Sequence, residues 1–167
     1  SADTTTDSVT DLAMTVTASA SGTTSGADVS SVSLGNIDNQ YGSITANLSG
    51  AENVDLDVLT AVDVTVTRSG AGDTDIEDIL ASGDVTVTLT GSGTIDIGET
   101  GTPVTVTGDF TVAGGTHTGA IDIDTDSTGN VTITTGAGAD TIVADGATAS
   151  GKTHTINTGG GADDVTG

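Results

Sequence analysis

Val64-Thr65-Val66-Thr67 returns as Val85-Thr86-Val87-Thr88, as Val104-Thr105-Val106-Thr107 and as Val131-Thr132-Ile133-Thr134, at spacings of 21, 19 and 27 residues. Met14-Thr15-Val16-Thr17 is a fainter copy. Each copy alternates an apolar residue with threonine, so on a strand the aliphatic side chains face one way and the hydroxyls the other. Val64, Val66, Val85, Val87, Val104, Val106, Val131 and Ile133 are therefore the expected core. Valine with threonine is a strand composition rather than a helical one.

Glycines follow most copies: Gly70-Ala71-Gly72, Gly91-Ser92-Gly93 and Gly136-Ala137-Gly138. Short second strands come next, at Ile95-Asp96-Ile97, Ile121-Asp122-Ile123 and Asp140-Thr141-Ile142-Val143. A strand, a glycine turn, a strand and a turn in about 20 residues is the unit of a solenoid. The fold class predicted is all-β: a parallel β-solenoid, β-roll or β-helix in type, with irregular coils. An antiparallel sandwich is the rival, but it has no reason to repeat its own sequence, whereas stacked coils do. Residues 61–167 carry the repeats; 1–60 form a less regular, β-rich segment. Within it, 19–31 has the composition of a loop, and Ile44, Leu48, Val54, Leu56 and Val58 are expected to face inward. No capping segment covers the last repeat, so the chain is expected to be an excerpt of a longer polypeptide.

Composition narrows the functions. Two basic residues stand against 24 acidic ones, a formal charge of −22. Arg68 and Lys152 cannot build a phosphate-binding surface, which excludes nucleic acid and disfavours anionic membranes. No apolar run reaches the roughly 20 residues that span a bilayer, so membrane insertion is not expected. Cysteine is absent, and with it any disulfide framework or zinc–thiolate site. The two histidines, His117 and His154, lie in Thr/Gly surroundings, and Ser and Asp are too abundant to single out a catalytic set. No enzyme is expected.

Residues 130–140 (NVTITTGAGAD) and 153–163 (THTINTGGGAD) agree at seven of eleven positions. Each ends in a Gly-x-Gly-x-Asp turn whose glycines allow a tight bend and whose aspartate adds a carboxylate to inward carbonyls. Hard oxygen ligands of that kind suit Ca²⁺. Gly136, Gly138, Asp140, Gly159, Gly161 and Asp163 are the candidate calcium residues, with Asp145 and Asp164 as auxiliary ligands. A metal-free glycine turn is the alternative. Charge favours the cation: like residues in stacked coils lie about 4.8 Å apart, where two unit charges repel by roughly 1 kcal/mol even in water. Two further acid clusters, Asp122/Asp124/Asp126 and Asp73/Asp75/Glu77/Asp78, read as solvated faces before they read as metal sites. The Thr-x-Thr ladder suggests an ice-binding face, but spacings of 21, 19 and 27 imply unequal coils that interrupt it.

The two glycine turns resemble the nonapeptide G-G-x-G-x-D-x-U-x of RTX proteins, and the last forty residues are similar to repeats of RTX-type bacterial S-layer proteins. LSGAENVDLDV (48–58) is similar to segments between such repeats. The resemblance implies a secreted, calcium-dependent solenoid at the cell surface that assembles with copies of itself into a lattice. Cell-surface polysaccharide would be engaged through regions outside this segment. RTX turns also occur in adhesins, so an extracellular adhesin or biofilm matrix protein is the second expectation.

Overall fold

Valine and threonine in alternation can be satisfied on both faces only if one face is shared with a second layer and the other meets water. The computed structural model describes residues 13–20 (as backbone), 42–51, 53–146 and 150–167. Most of the expected loop at 19–31 lies outside the described residues. The chain forms β1 (Ala13–Ala20), β2 (Ser43–Gly50), β3 (Val54–Ala61), β4 (Asp63–Gly70), β5 (Thr74–Ala81), β6 (Val85–Gly91) and β7 (Ile95–Ile97). It continues with β8 (Thr105–Val106), β9 (Phe110–Ala113), β10 (Ile121–Thr125), β11 (Val131–Thr134), β12 (Thr141–Ala144), β13 (His154–Asn157) and β14 (Asp164–Thr166). There is no helix among the described residues.

Two sheets result. Sheet A runs β1-β2-β4-β6-β9-β11-β13, and sheet B runs β14-β12-β10-β7-β5-β3 with β8 attached to β5. Every pairing between these strands is parallel. The protein is a β-solenoid, and the sandwich alternative is excluded. From β2 onward the chain visits the two sheets in turn, β8 adding a second short piece to sheet B before the return to sheet A. β2 and β4 pair in register over all eight residues, so the stack runs through residue 60 without a break.

The core is a set of aliphatic columns between the sheets. In sheet A one column is Ile44, Val64, Val85, Phe110, Val131 and His154, and the next is Ala46, Val66, Val87, Val112, Ile133 and Ile156. Sheet B supplies Leu56, Ile76, Ile97, Ile123, Ile142 and Val165. All eight residues expected from the Val-Thr copies are buried, none more than 1% exposed. Only the last coil lets its column residues out, Val165 reaching 47% exposure.

Two expectations are corrected. Val104-Thr105-Val106-Thr107 is not a rung of the sheet A ladder. Thr105 and Val106 pair with Leu80 and Ala81 in sheet B, and Phe110 takes the ladder position opposite Val85. The cause is a longer coil. Gly98 and Gly101 adopt φ of +78° and +98°, Glu99 and Thr102 close a small antiparallel bridge, and the excursion returns the chain to sheet B before the turn. The ladder therefore advances at 64, 85, 110, 131 and 154. The second correction is Val58, which is only partly buried while Leu59 is fully so. Strand β3 buries Val54, Leu56, Leu59 and Ala61, and β5 buries Thr74, Ile76, Ile79 and Ala81. Two successive side chains point away from the core in each, which is a corner in the coil, and the period-two phase slips there.

The turns from sheet A to sheet B stack as tightly as the strands. A methyl group placed on Gly93 would lie 2.0 Å from Gly72 O, on Gly119 2.1 Å from Gly93 O, on Gly138 2.1 Å from Gly119 O and on Gly161 1.9 Å from Gly138 O. Along this column, 72–93–119–138–161, positions 93, 119, 138 and 161 need glycine because backbone meets backbone. Gly93→Ala should lower the unfolding free energy by about 1–3 kcal/mol or more. Gly160→Ala, with nothing within 4 Å of the added methyl, should leave it nearly unchanged; urea melts of the two variants check this.

Candidate functional site

Residues in one coil sit opposite their counterparts in the next, so each turn can be compared position by position. The Asp122–Thr141 and Thr141–Asp164 pairs fix the register. One step earlier, Asp140 stands opposite Ile121 and Asp163 opposite Asp140. Asp140 thus occupies an inward position that isoleucine, Ile95 and Ile121, fills in the two preceding coils, and it is 1% exposed. Its Oδ1 accepts the Ile121 N–H at 2.9 Å, and Asp163 Oδ1 accepts the Asp140 N–H at 3.1 Å. Asp140 Oδ2 is buried with no hydrogen-bond partner. A buried carboxylate oxygen without a donor is costly.

The structure brings Asp140 and Asp163 together with Gly136, Gly138, Gly159 and Gly161, the six residues of the two sequence motifs. The auxiliary pair is placed elsewhere. Asp164 stands in register with Thr141 and Asp122 on the outward face of sheet B, opposite in direction to Asp163. Asp145 lies five residues beyond Asp140, roughly 16 Å along extended chain, where it neighbours Asp124. The glycines of both motifs have a reason apart from metal: Gly138 and Gly161 belong to the close-packed column, and Gly159 would meet Gly136 O at 2.1 Å.

Earlier turns of the same stack are filled by the protein itself. Arg68, 1% exposed in the column between Leu48 and Leu89, donates from Nη2 to Gly72 O at 2.7 Å. Burial lowers its pKa, and Asp73 acts against that shift. His117, also 1% exposed, places Nε2 2.7 Å from Gly93 O, so this nitrogen carries the proton and the imidazole donates. A cationic or N–H donor therefore meets an inward carbonyl in each of these two turns. The turns at 136–140 and 159–163 contain no Arg, Lys or His. There the donor set is carboxylate and carbonyl oxygen, with one buried oxygen unsatisfied, and it fits a hard divalent cation.

Sequence reasoning missed another use of aspartate. Asp63, Asp84, Asp109 and Asn130 each stand one residue before the first apolar residue of a sheet A strand. The Asp84 N–H donates to Asp63 Oδ1 at 2.8 Å, the Asp109 N–H to Asp84 Oδ1 at 2.9 Å, and the Asn130 N–H to Asp109 Oδ1 at 3.2 Å. Asn130 Oδ1 accepts the Thr153 N–H at 3.3 Å. Lys152 Nζ joins this ladder 3.5 Å from Asp109 Oδ1. The Asn130 backbone N–H, followed by the Asn130 side chain and Lys152, holds the Asp109 carboxyl below the usual range. On the opposite turn, Asp73 N–H donates to Asn53 Oδ1 at 2.9 Å and Thr94 N–H to Asp73 Oδ1 at 2.8 Å. Asp73 is thereby committed, and the Asp73/Asp75/Glu77/Asp78 cluster does not converge on one point. Among the described residues no group of three or more His, Asp or Glu side chains is arranged to hold a metal.

The outward face of sheet B is acidic from β3 to β10. Asp55, Asp75, Asp96 and Asp122 form one unbroken column. A cleft of about 380 Å³ opens on this face beneath the Gly98–Pro103 excursion, lined by Asp96, Glu99, Asp122 and Asp124 among others. Partial burial raises the Asp75 carboxyl, with Asp55 and Glu99 adding to it. The same order of causes raises Asp96, through burial, then Asp122, Asp75 and Glu99, and Asp124, through burial, then Asp145, Asp122 and Asp126. A carboxyl whose pKa is higher in the folded than in the unfolded state binds more protons when folded. Stability then falls as pH rises from the ordinary carboxylate range through the raised values. The melting temperature should accordingly be higher near pH 5 than at pH 7.5, and Asp96→Asn should raise it at pH 7.5 while flattening the slope. Differential scanning fluorimetry across pH at low ionic strength measures both effects.

Compared with protein-family models, with curated proteins and with solved structures, the chain matches none.

Proposed function

We propose that this chain is a structural module of a secreted, calcium-dependent surface assembly, of the layer-forming kind, and not an enzyme. The observation that carries the reading is Asp140. It is an aspartate at a core position, stacked on Asp163 in the next coil, with one buried oxygen left without a donor. Ca²⁺ held by Asp140 and Asp163 with carbonyls of the 136–139 and 159–162 turns would satisfy that oxygen. The ion would supply positive charge at the two turns that contain no Arg, Lys or His, and would couple folding to metal. The acidic column of sheet B supports the same reading, since a chain of charge −22 packs against copies of itself only where cations are shared or carboxylates are absent.

An extracellular adhesin or biofilm matrix protein is the second reading, favoured by the same turns, because it shares the fold and the metal but not the self-assembly. Calcium added to chelated protein should raise the melting temperature, by an amount equivalent to about 2.7 kcal/mol when free calcium reaches a hundredfold excess over Kd. Asp140→Asn should remove most of that rise; no shift in the native chain at millimolar calcium would overturn the calcium reading. Electron microscopy with and without chelator separates the two roles: ordered sheets that dissolve on chelation support the layer, and dispersed particles at every calcium concentration support the adhesin.

A further inference from the structure

The outward face of sheet A carries an uninterrupted threonine array. Thr45, Thr65, Thr86, Thr111, Thr132 and Thr155 are in register on six successive strands, and the backbone pairing continues the column to Thr15 in β1. Two residues along each strand a second outward column holds Thr67, Thr88 and Thr134, with Asn47, Ala113 and Asn157 at the remaining positions. The longest coil, from Val85 to Phe110, carries its extra residues in the Gly98–Pro103 excursion, outside sheet A. Phe110-Thr111-Val112 keeps the ladder in phase.

From this array we infer that sheet A binds ice. Hydroxyls and methyls repeat at roughly 4.7–4.9 Å from strand to strand and about 6.6–6.8 Å from one threonine to the next but one along a strand. These intervals are close to the oxygen repeats on the prism faces of hexagonal ice. Among the described residues, none of the six column hydroxyls is taken up by another protein group, so each is available to order water. The positions are held by backbone ladders behind and by a filled core beneath, and little freedom is lost on binding. Charge selects the occupant. Ions are excluded from the ice lattice, and both threonine columns are free of ionised side chains; the Asp63, Asp84 and Asp109 carboxylates, two residues before Thr65, Thr86 and Thr111, are tied to backbone N–H groups and mark one edge of the array. The opposite face has Asp55, Asp75, Asp96 and Asp122 in line and remains in liquid water. The array lacks aromatic side chains, which argues against a stacked sugar as its ligand. This inference does not depend on the calcium reading.

The test uses the full chain in saturating calcium, with freezing-point hysteresis and partition into a growing ice hemisphere as readouts. The native protein should enter the ice and open a measurable gap between melting and freezing. Thr86→Lys, at the centre of the array, should reduce that gap at least fivefold, whereas Thr141→Lys on sheet B should leave it intact. Circular dichroism melts confirm the fold of each variant, and Thr86→Val, which keeps shape and loses only the hydroxyl, serves if the lysine variant does not fold. A native chain excluded from ice, or equal losses from the two sheets, would overturn the inference. So would a dimer, seen by sedimentation, that Thr86→Lys dissociates in the absence of hysteresis, because the face would then belong to a second copy of the chain.

Discussion

Parallel backbone hydrogen bonding from coil to coil obliges every residue to sit opposite the one a coil earlier, about 4.8 Å away. All else in this protein follows from that spacing. Aliphatic side chains can tolerate it and gain from it, and so the core is built from columns of Val, Ile and Leu. Carboxylates cannot repeat at that distance without mutual repulsion, and the molecule answers this in three ways. It commits some to the next coil's backbone N–H, as Asp63, Asp84 and Asp109 are. It lets others protonate more readily on sheet B. It stacks Asp140 on Asp163, the Asp140 N–H donating to Asp163 Oδ1.

The same spacing explains the glycines. A turn that must stack on its neighbour at strand distance has no room for a side chain between the two backbones, and the column from Gly72 to Gly161 meets that condition by having none. The Gly-x-Gly pattern therefore reports first on coil stacking. What fills the turn changes along the chain: Arg68, then His117, then Asp140 stacked on Asp163. The single arginine of a strongly acidic protein is spent inside one of these turns, donating to Gly72 O.

Alternation of Val with Thr was enough to read the fold and the eight core residues, because period-two patterning and stacking are both local in the sequence. The exception was Val104–Thr107. Its tetrapeptide is identical to those at 64 and 85, and only its pairing with Leu80 and Ala81 reveals that it belongs to the other sheet. A long coil can hold two such tetrapeptides, and composition cannot say which one continues the ladder. The corner at Val58–Leu59 was hidden for a similar reason, since a bend shifts the phase without a glycine or proline to mark it. At the candidate site, Asp140 and Asp163 were legible from the motif. The burial of Asp140 at an isoleucine position was not, nor was the Asp/Asn residue before the first apolar residue of sheet A strands, although its recurrence at 63, 84, 109 and 130 was a visible signal.

Charge is unequal on the two sides: sheet B carries the denser carboxylates, Asp55, Asp75, Asp96 and Asp122 among them, while sheet A carries the threonine columns beside Asp63, Asp84 and Asp109, whose carboxylates accept from the next coil's backbone. Such a plate has an electric dipole across its thickness. On a cationic support, a mineral surface rich in divalent ions or a positively charged polymer, it would settle acid side down and turn its hydroxyl side to the solvent. Adsorbed molecules would then share one orientation without any specific receptor, and a surface coated with them would expose neutral, well-hydrated hydroxyls in place of its own charge.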